Sequence, residues 1–378
     1  LRFKKFEGAW VKKLLGEVTI KINSGKTPLG GEATYLKDGV LFIRSQNVIN
    51  DGLELKNSVF ISTEVNNEMK NSVVKANDIL LNITGASLGR SCVVPADFEI
   101  GNVNQHVCII RVAKGYNPRY IQPILSSVKG QSIFVSLQTG SGREGLNFSS
   151  IKGISIYFPS TSEQDKIADF LSLIDYRIAT QIKIIEELKS LKRELLQKIF
   201  SQKVRFKSDK GNDFPDWDVK KIGEVLKIGN GKDYKHLNKG DIPVFGTGGF
   251  MTSVDAFLND GETVCIGRKG TIDSPFYFNG KIWTVDTLFY THSFKNVIPK
   301  FIFYAFLLIN WKQHNEASGV PSLSKSTIEK ISIAFPSDLE QRKIADFLSV
   351  IDEKIDDEGK LLQQYDNQKK YLLKNLFI

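Results

Sequence analysis

A block near the middle of the chain returns almost unchanged close to its end. Glu163-Gln164-Asp165-Lys166-Ile167-Ala168-Asp169-Phe170-Leu171-Ser172-Leu173-Ile174-Asp175 reappears as Glu340-Gln341-Arg342-Lys343-Ile344-Ala345-Asp346-Phe347-Leu348-Ser349-Val350-Ile351-Asp352. A second echo relates Trp10-Val11-Lys12-Lys13-Leu14-Leu15-Gly16-Glu17-Val18 to Trp217-Asp218-Val219-Lys220-Lys221-Ile222-Gly223-Glu224-Val225. The helix blocks lie 177 residues apart, far beyond the roughly 20–50 residues of a solenoid repeat. The chain therefore reads as a duplicated domain in the order lobe, helix, lobe, helix. Its 378 residues suffice for two cores of ordinary size.

Each repeated block opens a long helix. From Glu163 the apolar residues Ile167, Leu171, Ile174, Ile178, Ile185 and Leu188 fall mostly three or four apart, and Ile344, Leu348, Ile351, Ile355, Leu362 and Leu372 do so in the second copy. That period gives one apolar stripe per helix. Phe158-Pro159-Ser160-Thr161-Ser162-Glu163-Gln164 and Phe335-Pro336-Ser337-Asp338-Leu339-Glu340-Gln341 each supply a strand end, a proline breaker and a capping sequence. A helix of ~38 residues is ~57 Å long, more than a lobe needs to close its own core. The two similar stripes predict a mutual antiparallel coiled coil with pseudo-twofold symmetry, its remaining edges open to partner helices.

The expected fold class is α+β, two tandem mixed α/β lobes separated by the two long helices. The boundaries are 1–160, 161–203, 204–337 and 338–378. Strands are expected at Val40–Arg44, Asp78–Ile83 and Val107–Val112, and again at Glu262–Ile266 and Leu288–Tyr290. Between the repeated borders the lobes differ in length and sequence, so one frame presents two different surfaces.

Three turn clusters hold matching places. Ser24-Gly25-Lys26-Thr27-Pro28 answers Gly229-Asn230-Gly231-Lys232, and Thr84-Gly85-Ala86-Ser87-Leu88-Gly89-Arg90 answers Gly267-Arg268-Lys269-Gly270-Thr271. Gly140 to Asn147 answers Ser318 to Ser324. Glycine lets a backbone approach a phosphate, and a neighbouring Lys, Arg, Ser or Asn can bond a phosphate or a base edge. The net charge is +9, with +7 in residues 1–160 and +1 in residues 208–336. A basic excess suits a polyanion, though the second lobe is nearly neutral.

Catalytic signatures are missing. Ser24-Gly25-Lys26-Thr27 resembles the end of a phosphate-binding loop, but the required first glycine is Ile20. Asn117-Pro118-Arg119-Tyr120 departs from the Asn-Pro-Pro-Tyr loop of adenine methyltransferases at Arg119, and Ile298-Pro299-Lys300-Phe301 occupies the comparable place, so a helix start explains both. Pro215-Asp216-Trp217-Asp218-Val219-Lys220 crowds nuclease-like acids into one turn, where metal chemistry wants them on separate strands. His106, His236, His292 and His314, with Cys92, Cys108 and Cys265, lack metal-ligand spacing. No apolar run reaches a membrane span and no basic-then-apolar leader is present, so a reducing cytoplasm is expected. The chain opens at Leu1 without a methionine, which leaves room for an upstream piece outside this numbering.

The duplicated Phe-Pro-Ser and Glu-Gln-x-Lys-Ile-Ala-x-Phe-Leu-Ser-x-Ile-Asp block, the Trp opening of each lobe and the Ser-Gly-Lys-Thr-Pro loop resemble the specificity subunits of type I restriction-modification systems. The resemblance covers essentially the whole chain. It implies two target-recognition domains that read the halves of a split, asymmetric sequence in double-stranded DNA, with the helices setting the unread spacer. It further implies two modification subunits that dock on the helices and methylate adenine with S-adenosylmethionine, and two restriction subunits that cut DNA with ATP and Mg. The chain itself is expected to hold no cofactor, metal or catalytic residue. Expected DNA contacts are Lys26, Thr27, Arg44, Gln46, Asn47, Arg90, Ser141 and Arg143 in the first lobe. In the second they are Lys232, Tyr234, Lys235, Arg268, Lys269 and Ser322. A site-specific nuclease with a degenerate motif, or a coiled-coil scaffold that binds proteins, are the alternative readings.

Overall fold

A computed structural model of the chain describes residues 2–138 and 145–377. It divides into two compact units, one of residues 1–182 with 360–378 and the other of residues 183–359. Helices run over Thr161–Phe200 and Asp338–Leu376, ending slightly before the expected 203 and 378. The expected boundaries separate lobes from helices, whereas compactness groups the residues differently. Each unit combines one lobe, the opening half of one long helix and the closing half of the other.

Burial explains that partition. In the first unit Ile167, Leu171 and Ile174 share one core with Leu372 and Leu376 and with the lobe's Leu15, Ile79, Tyr120 and Phe158. In the second, Ile344 and Leu348 share a core with Leu196 and Ile199 and with Ile222, Ile266, Phe301 and Phe335. Ile178 and Ile351 pack at the margins of these cores. Ile185, Leu188, Ile355 and Leu362 are half-buried and belong to neither. The apolar stripe is thus strongest at the helix ends, where it closes a lobe's core as well as meeting another helix.

The repeated Glu-Gln pair fastens each helix start. Arg2 grips Glu163 with Nε to Oε1 at 2.9 Å and Nη2 to Oε2 at 2.8 Å. Arg205 grips Glu340 in the same way, at 3.2 and 2.8 Å, and Trp217 Nε1 donates to Glu340 Oε2 at 3.2 Å. This pairing reveals another echo, Leu1-Arg2-Phe3-Lys4 with Val204-Arg205-Phe206-Lys207. Phe3 and Phe206 meet Phe170 and Phe347 edge-on, with ring centroids at 5.7 and 5.5 Å. The adjacent glutamines act as staples. Gln164 Oε1 accepts from Asn117 N at 3.1 Å while Nε2 donates to Pro159 O at 3.1 Å. Gln341 makes the same two bonds with Ile298 N and Pro336 O, at 2.9 and 3.0 Å. Both pairs anchor a proline-started helix, Pro118–Ser126 or Pro299–Phe306, which is the helix start expected at these sites.

The aspartate closing each block is also used twice. In the first unit Lys369 Nζ lies 2.6 Å from Asp51 and 2.5 Å from Asp175. Burial opposes the Lys369 charge, but the two carboxylates outweigh it and raise its pKa. In the second unit Lys192 pairs with Asp352, whose other oxygen accepts from Tyr304 Oη at 2.7 Å.

The lobes share a sheet plan. In the first unit the strand Val107–Val112 lies between Thr19–Ser24 and Ile79–Asn82, with Ser91–Val93 beyond, all antiparallel. In the second Leu288–His292 lies between Lys227–Asn230 and Glu262–Gly267, with Phe276–Asn279 beyond. Each unit adds a second sheet with one parallel pair, Val40–Ile43 with Gly101–Val103 or Lys239–Gly246 with Trp283–Thr284. A two-stranded antiparallel pair at the border closes each lobe, Val11–Leu14 with Ser155–Phe158 and Asp218–Lys221 with Ser332–Phe335. The β-branched runs expected as strands are strands, and the central ones are buried on both faces.

Candidate nucleic-acid interface

In each unit the antiparallel pairing brings the three paired loops to one end of the main sheet. The strand Thr19–Ser24 ends there, Val107–Val112 begins there, and Ile79–Asn82 ends there. Gly25 N donates to Asn104 O at 3.2 Å, Ile83 N to His106 O at 3.0 Å and Leu146 N to Ile83 O at 2.9 Å, while Thr84 bridges Gly145. The second unit repeats the set. Lys232 N donates to Thr284 O and Arg268 N to Thr287 O, both at 2.8 Å, Leu323 N donates to Arg268 O at 2.9 Å, and Lys269 bridges Ser322. Four loops converge, one more than the sequence had suggested. The additional one is Asn104-Gln105-His106 in the first unit and Val285-Asp286-Thr287 in the second.

The loop glycines serve the protein's own backbone. A Cβ on Gly25 would stand 1.6 Å from Val103 O, and one on Gly231 1.9 Å from Val285 O. They let the loop pass against the neighbouring turn, not against a phosphate. Gly25→Ala is therefore expected to destabilise the protein by about 3 kcal/mol through overpacking, read as a lowered Tm in thermal denaturation. An unchanged Tm would mean that the loop can move aside freely. Gly85 and Gly270 are different, with φ of 73° and 86° in the left-handed region that glycine tolerates.

The expected contact residues separate into groups. Lys26, Thr27 and Arg90 in the first unit, and Lys232 and Lys269 in the second, are exposed at the sheet end. Ser322 is half-buried there, its N–H bonded to Asn315 Oδ1 at 2.8 Å. Arg268 is half-buried, with Nη1 donating to Asp286 O at 3.3 Å and its guanidinium 6.0 Å from the Phe289 ring. Gln46 is exposed on a turn tied to the sheet end by Asn82 Nδ2, which donates to Ser45 O at 2.8 Å. Arg44 is half-committed, donating to Asn57 O at 3.3 Å and lying 5.5 Å over Tyr35. Lys235 is exposed on the segment after Lys232. Ser141 and Arg143 lie outside the described residues.

One expectation needs correction. Asn47 is only 3% exposed, its Oδ1 accepting from Arg44 N at 3.0 Å and its Nδ2 donating to Glu54 O at 2.9 Å. Its amide holds a turn and has no face left for DNA. Tyr234 is half-buried, one side of it packed against Val244, Val254, Trp283 and Val285. Neither burial was legible from residue type.

The residues missed are Gln105 and His106. Thr27 Oγ1 donates to Gln105 Oε1 at 2.6 Å, Gln105 Nε2 lies 3.1 Å from His106 Nε2, and His106 Nδ1 lies 2.6 Å from Thr84 Oγ1. This chain of side chains ties three loops together. Its signal in the sequence is a polar triplet between Val103 and Val107.

Nuclease geometry does not form at the other acidic cluster. Asp218 and Lys220 sit on one border strand, 3.6 Å apart, and Asp216 lies 3.8 Å from Arg205. Among the described residues no group of three His, Cys, Asp or Glu side chains could hold a metal ion. The first unit also contains an apolar cavity of about 830 Å³, lined by Trp10, Tyr120, Phe134 and Phe377 among others, which none of the sheet-end residues enters.

The family model for the type I restriction modification DNA specificity domain matches residues 7–190 and again 215–365. The chain belongs to this family. It carries two tandem copies of the DNA specificity domain. The specificity subunit of the type I restriction enzyme EcoBI from Escherichia coli is 35% identical over 136 residues, covering 35% of this chain and 28% of that one. The MjaVIII specificity subunit of Methanocaldococcus jannaschii is 24% identical over 290 residues, covering 65% and 67%. The chain thus spans between about a quarter and two thirds of the length of these relatives. The crystal structure of the S subunit of a type I restriction-modification system from M. genitalium shares the fold, with a TM-score of 0.64 at 19% identity over 100% of this chain and 98% of that one. Among the described residues no helix is long and apolar enough to cross a membrane.

Proposed function

We infer that this specificity chain recognises a split, asymmetric sequence in double-stranded DNA, each unit reading one half-site with the loops at the end of its main sheet. The observation that carries this reading is the repetition of one four-loop frame with unlike side chains. Thr27, Thr84, Gln105 and His106 occupy it in the first unit, and Arg268, Lys269, Asp286 and Thr287 in the second. A common backbone with different hydrogen-bonding tips is what two different half-sites require.

The long helices carry the spacer function and the docking of modification subunits. Exposed apolar side chains recur at one place on both helices, Leu173 at 51% and Val350 at 64%, and fit a partner's apolar face. Methylation with S-adenosylmethionine and cleavage with ATP and Mg belong to modification and restriction subunits. The chain itself contributes no catalytic group, and the complex works in the cytoplasm.

Co-expression with the modification subunit, followed by mapping of adenine methylation on a random-sequence plasmid library, tests this reading. One split motif with a fixed gap is expected. Methylation without a motif in an active complex would overturn it.

A further inference from the structure

The Gln105 amide is a built hydrogen-bonding edge. Its oxygen accepts from Thr27, and its nitrogen is hydrogen-bonded to His106 Nε2, whose Nδ1 is in turn hydrogen-bonded to Thr84 Oγ1. An amide carries two acceptor positions and two donor hydrogens. One of each is used, and among the described residues no other side-chain bond to this amide occurs. The exposed side chain therefore keeps one acceptor and one donor side by side. Turning the amide over exchanges the roles of Thr27 and His106 and leaves the same pair unused.

The register places Asp286 at the corresponding point of the second unit. His106 and Thr287 each offer their carbonyl to the neighbouring strand end, at Ile83 N and Arg268 N, and Gln105 and Asp286 directly precede them. Asp286 is exposed, and its carboxylate is an acceptor only.

We propose that this position is the base-reading point of both units, with Gln105 reading an adenine in one half-site and Asp286 a cytosine in the other. This rests on the DNA-recognition reading above. An amide matches N6 and N7 of adenine with one donor and one acceptor, and a carboxylate accepts from N4 of cytosine. A flexible amide would lose entropy on pairing, and the bonds from Thr27 and His106 have already restricted it. Those two are positioning residues. Lys26, Lys232 and Lys269 flank the points as phosphate-binding cations.

The test is selection of bound duplexes from a randomised library by the full chain in complex with its modification subunit. Wild type, Gln105→Ala, Gln105→Glu and Asp286→Asn are run in parallel. Gln105→Ala should lose the adenine requirement at one base pair of one half-site, a roughly tenfold or greater loss of discrimination, with the other half-site unchanged. Gln105→Glu should move the preference at that base pair to cytosine, and Asp286→Asn should move its own from cytosine to adenine. Thr27→Val should weaken discrimination several-fold with adenine still preferred. Wild type without any motif would remove the DNA-recognition reading itself. A wild-type motif that survives Gln105→Ala and Gln105→Glu would overturn the inference alone. Uniform loss of binding to every sequence, with unchanged thermal melting, would assign Gln105 to phosphate contact and also overturn it.

Discussion

Arg205→Ala is expected to lower the stability of the protein by about 3–5 kcal/mol at pH 7, the range for removing one partner of a buried ion pair. The partner left behind is Glu340, whose side chain is 0% exposed. It would retain the Trp217 Nε1 hydrogen bond at 3.2 Å and lose both guanidinium bonds. Arg205 Nη2 also donates to Phe214 O and Pro215 O at 3.2 and 2.6 Å, so the segment leading into Trp217 would loosen too. Denaturant titrations of wild type and variant at pH 7 measure this. A deficit below about 1 kcal/mol would show that solvent relieves the stranded charge.

The double variant Lys232→Glu/Lys269→Glu is expected to weaken DNA binding about a hundredfold or more at ~0.1 M salt. Both lysines are exposed at the sheet end of the second unit, whose lobe has a net charge of only +1 over residues 208–336. Beyond Arg268 and Lys235 the lobe has little excess of positive charge to compensate. Each phosphate contact releases close to one counterion, so two lost contacts should reduce the slope of log affinity against log salt by about 2. Reversal adds repulsion to the loss of attraction, and the effect should fall on all sequences alike because phosphates carry no base identity. Binding titrations at several salt concentrations decide it. An unchanged slope would place these lysines away from the DNA backbone.

These predictions separate two kinds of residue that look alike in the sequence. Glu163, Gln164, Glu340 and Gln341 belong to the most strongly repeated block, yet their roles are internal. They bind an arginine and staple a neighbouring helix. Their repetition reflects a joint that each unit must make. The residues proposed to meet DNA lie instead where the repeat breaks down, as expected if unlike half-sites demand unlike side chains on the same backbone.

The sequence by itself determined the duplication, both long helices, the main strands and three of the four loops at the sheet ends. Each of these depends on local periodicity, capping or turn chemistry, which neighbouring residues state directly. The tertiary structure alone decided which loops meet, because strand order places Val107–Val112 between Thr19–Ser24 and Ile79–Asn82 and so carries Gln105 and His106 to Thr27 and Thr84. It also withdrew Asn47 from the surface and divided each long helix between two cores. Burial and hydrogen-bond satisfaction are settled by residues far away in the chain, and no local pattern records them.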